Sequence, residues 1–314
     1  MPLFFLISGY CYNDAKYTTV TDFLKSKYKT LFLPYLVLSF YCLAIDVFKN
    51  VFYCLRGNLS GAECMSSAIE RLIGIIVSLR GTEYNIGIWY IPLIMVTMLL
   101  FFTIVKISKK NDIFLIAFSS VLFFIGILLA VLKIKLPWGV DVACIAIVFV
   151  LVGYLLKKHS LIDVINKQKS SIWIVALLSA FAIHTAFTYM NYRFIKTNVD
   201  MYTSTYGHFL YYLLASIGGS IFVILLCTKL HVKIIAQIGK NSLYFYGVHG
   251  IFIEVIGIIA YHIVPDVYEN AWYGTIFSGI VVVLSTLIIY AFLPLYNKAL
   301  KEIQQLLSLE RFIR

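Results

Sequence analysis

Eight apolar stretches long enough to cross a bilayer follow one another along the chain, at 31–49, 88–107, 113–133, 138–156, 172–191, 207–228, 241–261 and 273–297. A hydrocarbon core of ~30 Å takes about 20 helical residues. Inside it every backbone N–H and C=O needs a partner within the protein, so a crossing segment is a helix or part of a closed barrel. A ninth apolar stretch, 1–13, begins with MPLFFLISGY and is short: twelve or so helical residues reach only ~18 Å. No long Pro/Gly linker, repeat or low-complexity tract separates these segments. The expectation is an all-α fold, a polytopic transmembrane helical bundle with nine spans, the first incomplete. Residues 1–297 form the membrane domain and 298–314 a basic amphipathic cytosolic tail.

Composition excludes a soluble protein, because 61% of the residues are hydrophobic and 13% charged, against about half and about a quarter in soluble domains. The net charge of +11 would suit nucleic acid, but it first has to be tested against membrane orientation. The segments 14–30, 106–112, 157–171, 229–240 and 298–314, which alternate sides with the others, hold 18 of the 26 Lys and Arg residues, and the opposite side holds 8. The positive-inside rule places the richer side in the cytosol, so topology accounts for the basic balance and no nucleic-acid partner is expected. The C-terminus is then cytosolic and the protein a multi-pass one of the plasma membrane. Stretch 1–13 runs from outside to inside, which calls for one further helix before Met1. It is not a secretory signal, having no positive n-region and no small-residue cleavage site. The six cysteines show no CxxC or Cys/His spacing, so no metal is expected. Cys54 and Cys64, flanking one loop, are read as two free thiols in preference to a disulfide.

Several landmarks then occur in a fixed order: MPLFFLISGY followed by FLKSKYKTLFLPYL; Trp89-Tyr90-Ile91-Pro92-Leu93; Leu136-Pro137-Trp138-Gly139-Val140-Asp141 leading to Gly153-Tyr154; Asn198-Val199-Asp200-Met201 with Tyr206-Gly207; and Ile238-Gly239-Lys240-Asn241-Ser242-Leu243 leading to His249. In this order the chain resembles the acyltransferase-3 family of integral membrane acyltransferases, and within it the sugar O-acetylases grouped with fucose 4-O-acetylase. The resemblance implies a ten-helix core and transfer of an acyl group, usually acetyl, from cytosolic acyl-CoA (acetyl-CoA) to a hydroxyl of a cell-surface or lipid-linked saccharide. It also implies a catalytic His on a first helix, which would lie before Met1. Two alternatives stay open: a catalytically inactive truncated membrane protein, and a transporter or flippase of lipid-linked sugars. The latter should show internal repeats or broken helices in two halves, and neither is visible.

Each candidate residue carries two readings. Lys25, Lys27 and Lys29 hold the CoA phosphates as point charges or simply anchor a cytosolic loop. Asp141 at a helix start favours the helix N-terminus or binds acceptor, and Asp200 hydrogen-bonds a glycan hydroxyl or is solvated. Trp89 and Trp138 sit in the interfacial belt or stack on a sugar. Asp46 pairs with Lys49. His249 and Glu254, on one apolar stretch, are weak acid–base candidates or packing residues, and His184 and His208 are structural. Asn241 and Ser242 read as a helix N-cap. Met65–Leu79 carries an apolar stripe suited to the membrane surface, and Arg80-Gly81-Thr82-Glu83-Tyr84-Asn85 is a polar loop able to cover an acceptor site. Membrane lipids, the acyl-CoA donor and the saccharide acceptor are the expected partners; oligomeric state is not legible.

Overall fold

The computed structural model describes residues 1–81, 88–230, 232–263 and 271–309. Among these the protein is helical throughout, with seven helices long and apolar enough to cross a membrane and an eighth span if a bent pair is counted as one. The apolar runs become helices because no other open structure satisfies a backbone in lipid. Polar residues mark where they stop. Thr19 caps α2 (Val20–Lys27) through a reciprocal arrangement with Asp22, Ser60 caps α4 (Gly61–Val77) in the same way with Glu63, and Asn111 accepts from the first amides of α6 (Asp112–Val131).

The chain divides into two units. The larger comprises Met1–Tyr35 and Cys42–His231. Its centre is α7 (Val140–Lys158), packed against α1 (Pro2–Tyr10), α5 (Tyr90–Ile107) and α6, while α9 (Ser170–Ile195) pairs with α10 (Phe209–Lys229). Glycines set the α1–α7 approach: an added methyl at Gly9 would overlap the Val150 carbonyl, and one at Gly153 the Leu6 carbonyl. In lipid such close packing supplies much of the attraction between helices. A π-helical turn, Tyr28–Phe32, joins α2 to α3 (Leu33–Leu55), and the short α8 (Leu161–Lys167) leads into α9.

The smaller unit comprises Leu36–Tyr41 and Val232–Arg314. It holds α11 (Lys233–Lys240), α12 (Ser242–Ile263), bent by 42° between Ser242–Gly250 and Phe252–Ile259, and α13 (Ala271–Leu309). Tyr244 stacks on Tyr296 with centroids 4.3 Å apart, and Gly247 meets the side chain of Leu38. Asn241 stands at the expected N-cap position just before α12, its carbonyl accepting from the Phe245 amide at 3.2 Å, while its side chain turns back to donate to the Gln237 carbonyl at 2.9 Å and close α11. The helix α13 continues past residue 297 to Leu309; residues 310–314 of the expected tail lie outside the described residues.

All six cysteines are free thiols, Cys54 and Cys64 included. Asp46 faces Arg71 of α4 at 3.4 Å, a partner not anticipated from the Lys49 spacing. The stripe of α4 remains exposed at Met65, Ile69, Leu72, Ile73 and Ile76.

Candidate functional site

At the end of the larger unit that carries residues 197–206, the polypeptide is tied around one arginine. The Arg80 side chain is 0% exposed. Its guanidinium pairs with the Asp141 carboxylate and donates to the carbonyls of Met201 and Tyr202, each at 2.7 Å. Asp141, in the first turn of α7 and 3% exposed, also accepts from the Leu136 amide at 3.2 Å. The Trp89 ring lies 5.4 Å from the guanidinium and meets Tyr202 edge-on. A charge this deep is tolerable only when paired and hydrogen-bonded, and a forked donor can serve a carboxylate and two carbonyls at once. The Trp138 indole donates to the Ile76 carbonyl at 2.6 Å, while its own backbone, like that of Ser78, is left-handed. Three segments far apart in sequence, 76–81, 136–141 and 200–204, are thereby fixed together.

Beside this knot opens a cavity of about 950 Å³ between the start of α1, the helices α9 and α10, and residues 197–201. Its wall near the loop is polar, with Thr188, Asn191, Asn198 and Asp200; deeper it is lined by Phe181, His184, Tyr212, Ala215 and Ser216. A second cavity of about 440 Å³ shares His184, Ala215 and Ser216 and adds Leu3, Phe222 and Val223. Asn191 holds the rim in place, donating to the Tyr206 carbonyl and accepting from the His208 amide. Asp200 shapes the loop by accepting from the Tyr202 amide at 2.9 Å and pairing through its backbone with Thr205. Burial pushes the Tyr206 phenol above its ordinary range.

The opposite end of the unit is rich in lysine. Phe23 of α2 stacks on Phe102 of α5 at 4.5 Å, with Tyr17 edge-on to both. Lys16, Lys27 and Lys106 lie over Tyr17, Phe23 and Phe102 at 5.5–5.7 Å. Lys106 also donates to the Thr18 carbonyl, and Lys110 pairs with Asp14 at 2.5 Å. The Lys110 ammonium holds the Asp14 carboxyl below the usual carboxylate range.

The expected site residues are thus distributed. Asp200 lines the large cavity. Asp141 and Trp89 lie in the buried knot, engaged with Arg80. Lys27 is half-buried on the aromatic stack, whereas Lys25 and Lys29 are exposed. His249, with Nδ1 at 2.6 Å from the Tyr246 carbonyl, and Glu254 are exposed residues of the smaller unit. Residues 82–85 of the expected polar loop lie outside the described residues. Reading the sequence missed Arg80 as a buried cation and Tyr212 as a cavity residue, and it assigned His184 to structure alone.

These features define a polytopic helical membrane protein with a polar cavity at one end and a cationic, aromatic-floored surface at the other. Residues 1–291 match the family model described as "Acyltransferase domain", and the chain belongs to that acyltransferase-3 family of membrane acyltransferases. Comparison with curated proteins and with solved structures gave no match.

Proposed function

We propose that this protein transfers an acyl group, usually acetyl, from acyl-CoA in the cytosol to a hydroxyl of a cell-surface or lipid-linked saccharide on the other side of the plasma membrane. The observation that carries the reading is the pairing of two unlike ends in one unit: lysines over an aromatic stack at one, and a roomy, partly polar cavity at the other. Ammonium groups suit the phosphates of CoA as point charges. Amide, hydroxyl and carboxylate groups around a concave wall suit a polyol. In the reaction the acceptor oxygen forms a bond to the thioester carbonyl carbon, the C–S bond breaks, the thiolate leaves, and the hydroxyl proton passes to a base. Lys25, Lys27 and Lys29 serve the donor. Asp200 touches the acceptor, and Asp141 and Trp89 act on it indirectly, by holding the loop that presents Asp200. The more basic side is cytosolic, which puts the C-terminus there too.

The test uses membranes containing the protein, radiolabelled acetyl-CoA and a lipid-linked saccharide pool. Transfer of label to alkali-labile ester on the saccharide is expected. Replacing Lys25, Lys27 and Lys29 with Ala should raise the KM for acetyl-CoA at least several-fold with insertion unchanged, and Asp200→Ala should raise that for the saccharide. No ester above that of membranes lacking the protein would overturn the reading.

A further inference from the structure

At the lysine-rich end of the larger unit a cavity of about 280 Å³ opens between the loop that follows α1 and the turn that joins α5 to α6. Tyr12, Asp14, Val105, Lys106, Lys109 and Lys110 line it. Pockets for drug-sized ligands run from about 300 to 1,000 Å³, so this one suits a single small group of a ligand and not a whole nucleotide. Its charged lining is three lysines and one aspartate.

The backbone is strained where it delivers two of these lysines. Lys109 and Lys110 both have left-handed backbone, with φ 50° and 65°, and they are the only successive non-glycine residues of that kind among the described residues. Left-handed backbone costs an L-residue free energy that Gly, and to a lesser degree Asn, avoids. Such strain persists where the surroundings over-determine it, and it gathers at functional sites. Here Asn111 accepts from the Ile113 and Phe114 amides to start α6, and the Lys158 ammonium donates to the Lys110 carbonyl at 2.7 Å while pairing with Asp112. The turn thus carries two cations where uncharged residues would fold more easily. Anchoring by the positive-inside rule needs lysines in number only; it calls for neither a shared cavity nor a strained turn.

The three lysines are under-matched. Lys110 pairs with Asp14 at 2.5 Å, and the Lys110 ammonium favours the ionised carboxyl. Lys106 donates to a neutral acceptor, the Thr18 carbonyl, at 3.1 Å. Lys109 has no carboxylate within ion-pair reach among the described residues. One carboxylate against three ammonium groups leaves two positive charges unmatched, and a phosphomonoester carries roughly −1.5 to −2 at pH 7. Asp14 and Lys110 are both partly exposed, and an exposed pair adds little to stability, so Asp14 yields its lysine easily.

We infer that this cavity is a subsite for a phosphomonoester dianion, held by Lys106, Lys109 and Lys110, with the Asp14 carboxylate as a place-holder that the incoming phosphate displaces from Lys110. The assignment of its source rests on the acyl-CoA reading above: the group is then the 3′-phosphate of CoA. The subsite is separate from Lys25, Lys27 and Lys29, and it lets the protein tell CoA from 3′-dephospho-CoA.

Equilibrium dialysis of radiolabelled CoA and 3′-dephospho-CoA against the protein in phosphatidylcholine nanodiscs reads this without any acyl transfer. The wild type should bind CoA about tenfold more tightly, the value of one charge-assisted hydrogen bond. Lys109→Asn puts in a residue that tolerates left-handed backbone. It should keep the wild-type melting temperature, lose most of the preference and bind 3′-dephospho-CoA as the wild type does. Lys109→Arg, which keeps the charge, should keep the preference. Asp14→Asn should tighten CoA about threefold and 3′-dephospho-CoA less, since no second anion then competes for Lys110. Replacing Lys25, Lys27 and Lys29 with Ala should weaken both ligands alike. A preference unchanged in Lys109→Asn, or weaker CoA binding by Asp14→Asn, would overturn the subsite. Equal binding of the two ligands that depends on Lys25, Lys27 and Lys29 would also overturn it and leave the acyl-CoA reading standing. A lipid phosphomonoester is told apart in nanodiscs containing phosphatidic acid, with the lipid retained after detergent extraction measured by mass spectrometry. Retention lost in Lys109→Asn, in a protein that binds neither CoA ligand, would support the phosphate subsite and overturn CoA as its source.

Discussion

At the level of single residues, Arg80 decides more than any other side chain in the larger unit. It is buried, it pairs with Asp141, and it satisfies two loop carbonyls. Removing one member of a buried pair leaves a charge without a partner, which costs ~3–5 kcal/mol, whereas replacing both with apolar groups is often close to neutral. Asp141→Asn should accordingly destabilise strongly, as should Arg80→Met. The Arg80→Met/Asp141→Leu double variant should lose less than the two single losses combined, because the charge penalty disappears. Its residual loss comes from the Met201 and Tyr202 carbonyls. Thermal unfolding in detergent, run as a double-mutant cycle, checks this; strict additivity would show that the pair is not coupled. None of it was legible in the sequence. Asp141 stood out as an acid at a helix start, but its partner Arg80 lies 61 positions away, and the carbonyls that Arg80 serves lie 121 and 122 positions from that arginine. No local spacing encodes such contacts. Trp89, expected at the interface or on a sugar, is drawn inward by the same cation. Tyr212, which lines the large cavity, carried no signal either, being one of 23 tyrosines.

At the level of elements, the sequence was far more readable, because helix formation in lipid depends on local apolar length. The spans expected from residue 31 onward are found as helices, the one at 241–261 with a bend. What local pattern does not show is how closely two helices approach. Gly153→Ala would drive a methyl into the Leu6 carbonyl of α1, and a backbone atom cannot rotate aside as a side-chain end can. The cost should reach the upper part of the ~1–3 kcal/mol range for overpacked cores, read as a lower unfolding temperature than that of Gly126→Ala, where the methyl would stand 2.6 Å from the Ile145 side chain and 2.9 Å from its backbone nitrogen, against 1.9 Å from the Leu6 carbonyl at Gly153. For α4 the pattern Ser60-x-x-Glu63, which the reading of the sequence passed over, closes into a reciprocal cap. The Ser60 amide and hydroxyl hold the Glu63 carboxyl below its ordinary value of 4.5. A carboxyl depressed on folding stabilises in full above its unfolded value, and that contribution is lost as pH falls through the folded value. Hydrogen exchange at the start of α4, corrected for intrinsic rates, should therefore accelerate below about pH 4.5 in the wild type. In Ser60→Ala it should already be fast at neutral pH, with little further change.

At the level of the whole molecule, the proposed reaction needs a fixed orientation, since donor and acceptor reside on opposite sides of the membrane. The charge asymmetry, 18 basic residues against 8 of the 26, supplies the driving force for one orientation, and the native cysteines report on it. Cys54 ends α3 and Cys64 begins α4, on the side proposed to face outward; Cys11 follows α1 and Cys227 lies two residues before Lys229, on the side proposed to face the cytosol. Cys11 and Cys227 are exposed and Cys54 and Cys64 partly so, while Cys144 is buried in α7. In intact cells a membrane-impermeant maleimide should label single-cysteine proteins at Cys54 and Cys64 and spare those at Cys11 and Cys227, which should react once the membrane is permeabilised. Cys144 should resist in both conditions. The reverse pattern would put the lysine-covered aromatic stack outside and the polar cavity inside. Cytosolic acyl-CoA would then meet the wrong end of the protein, and the division of labour proposed for the two ends would fail as a whole.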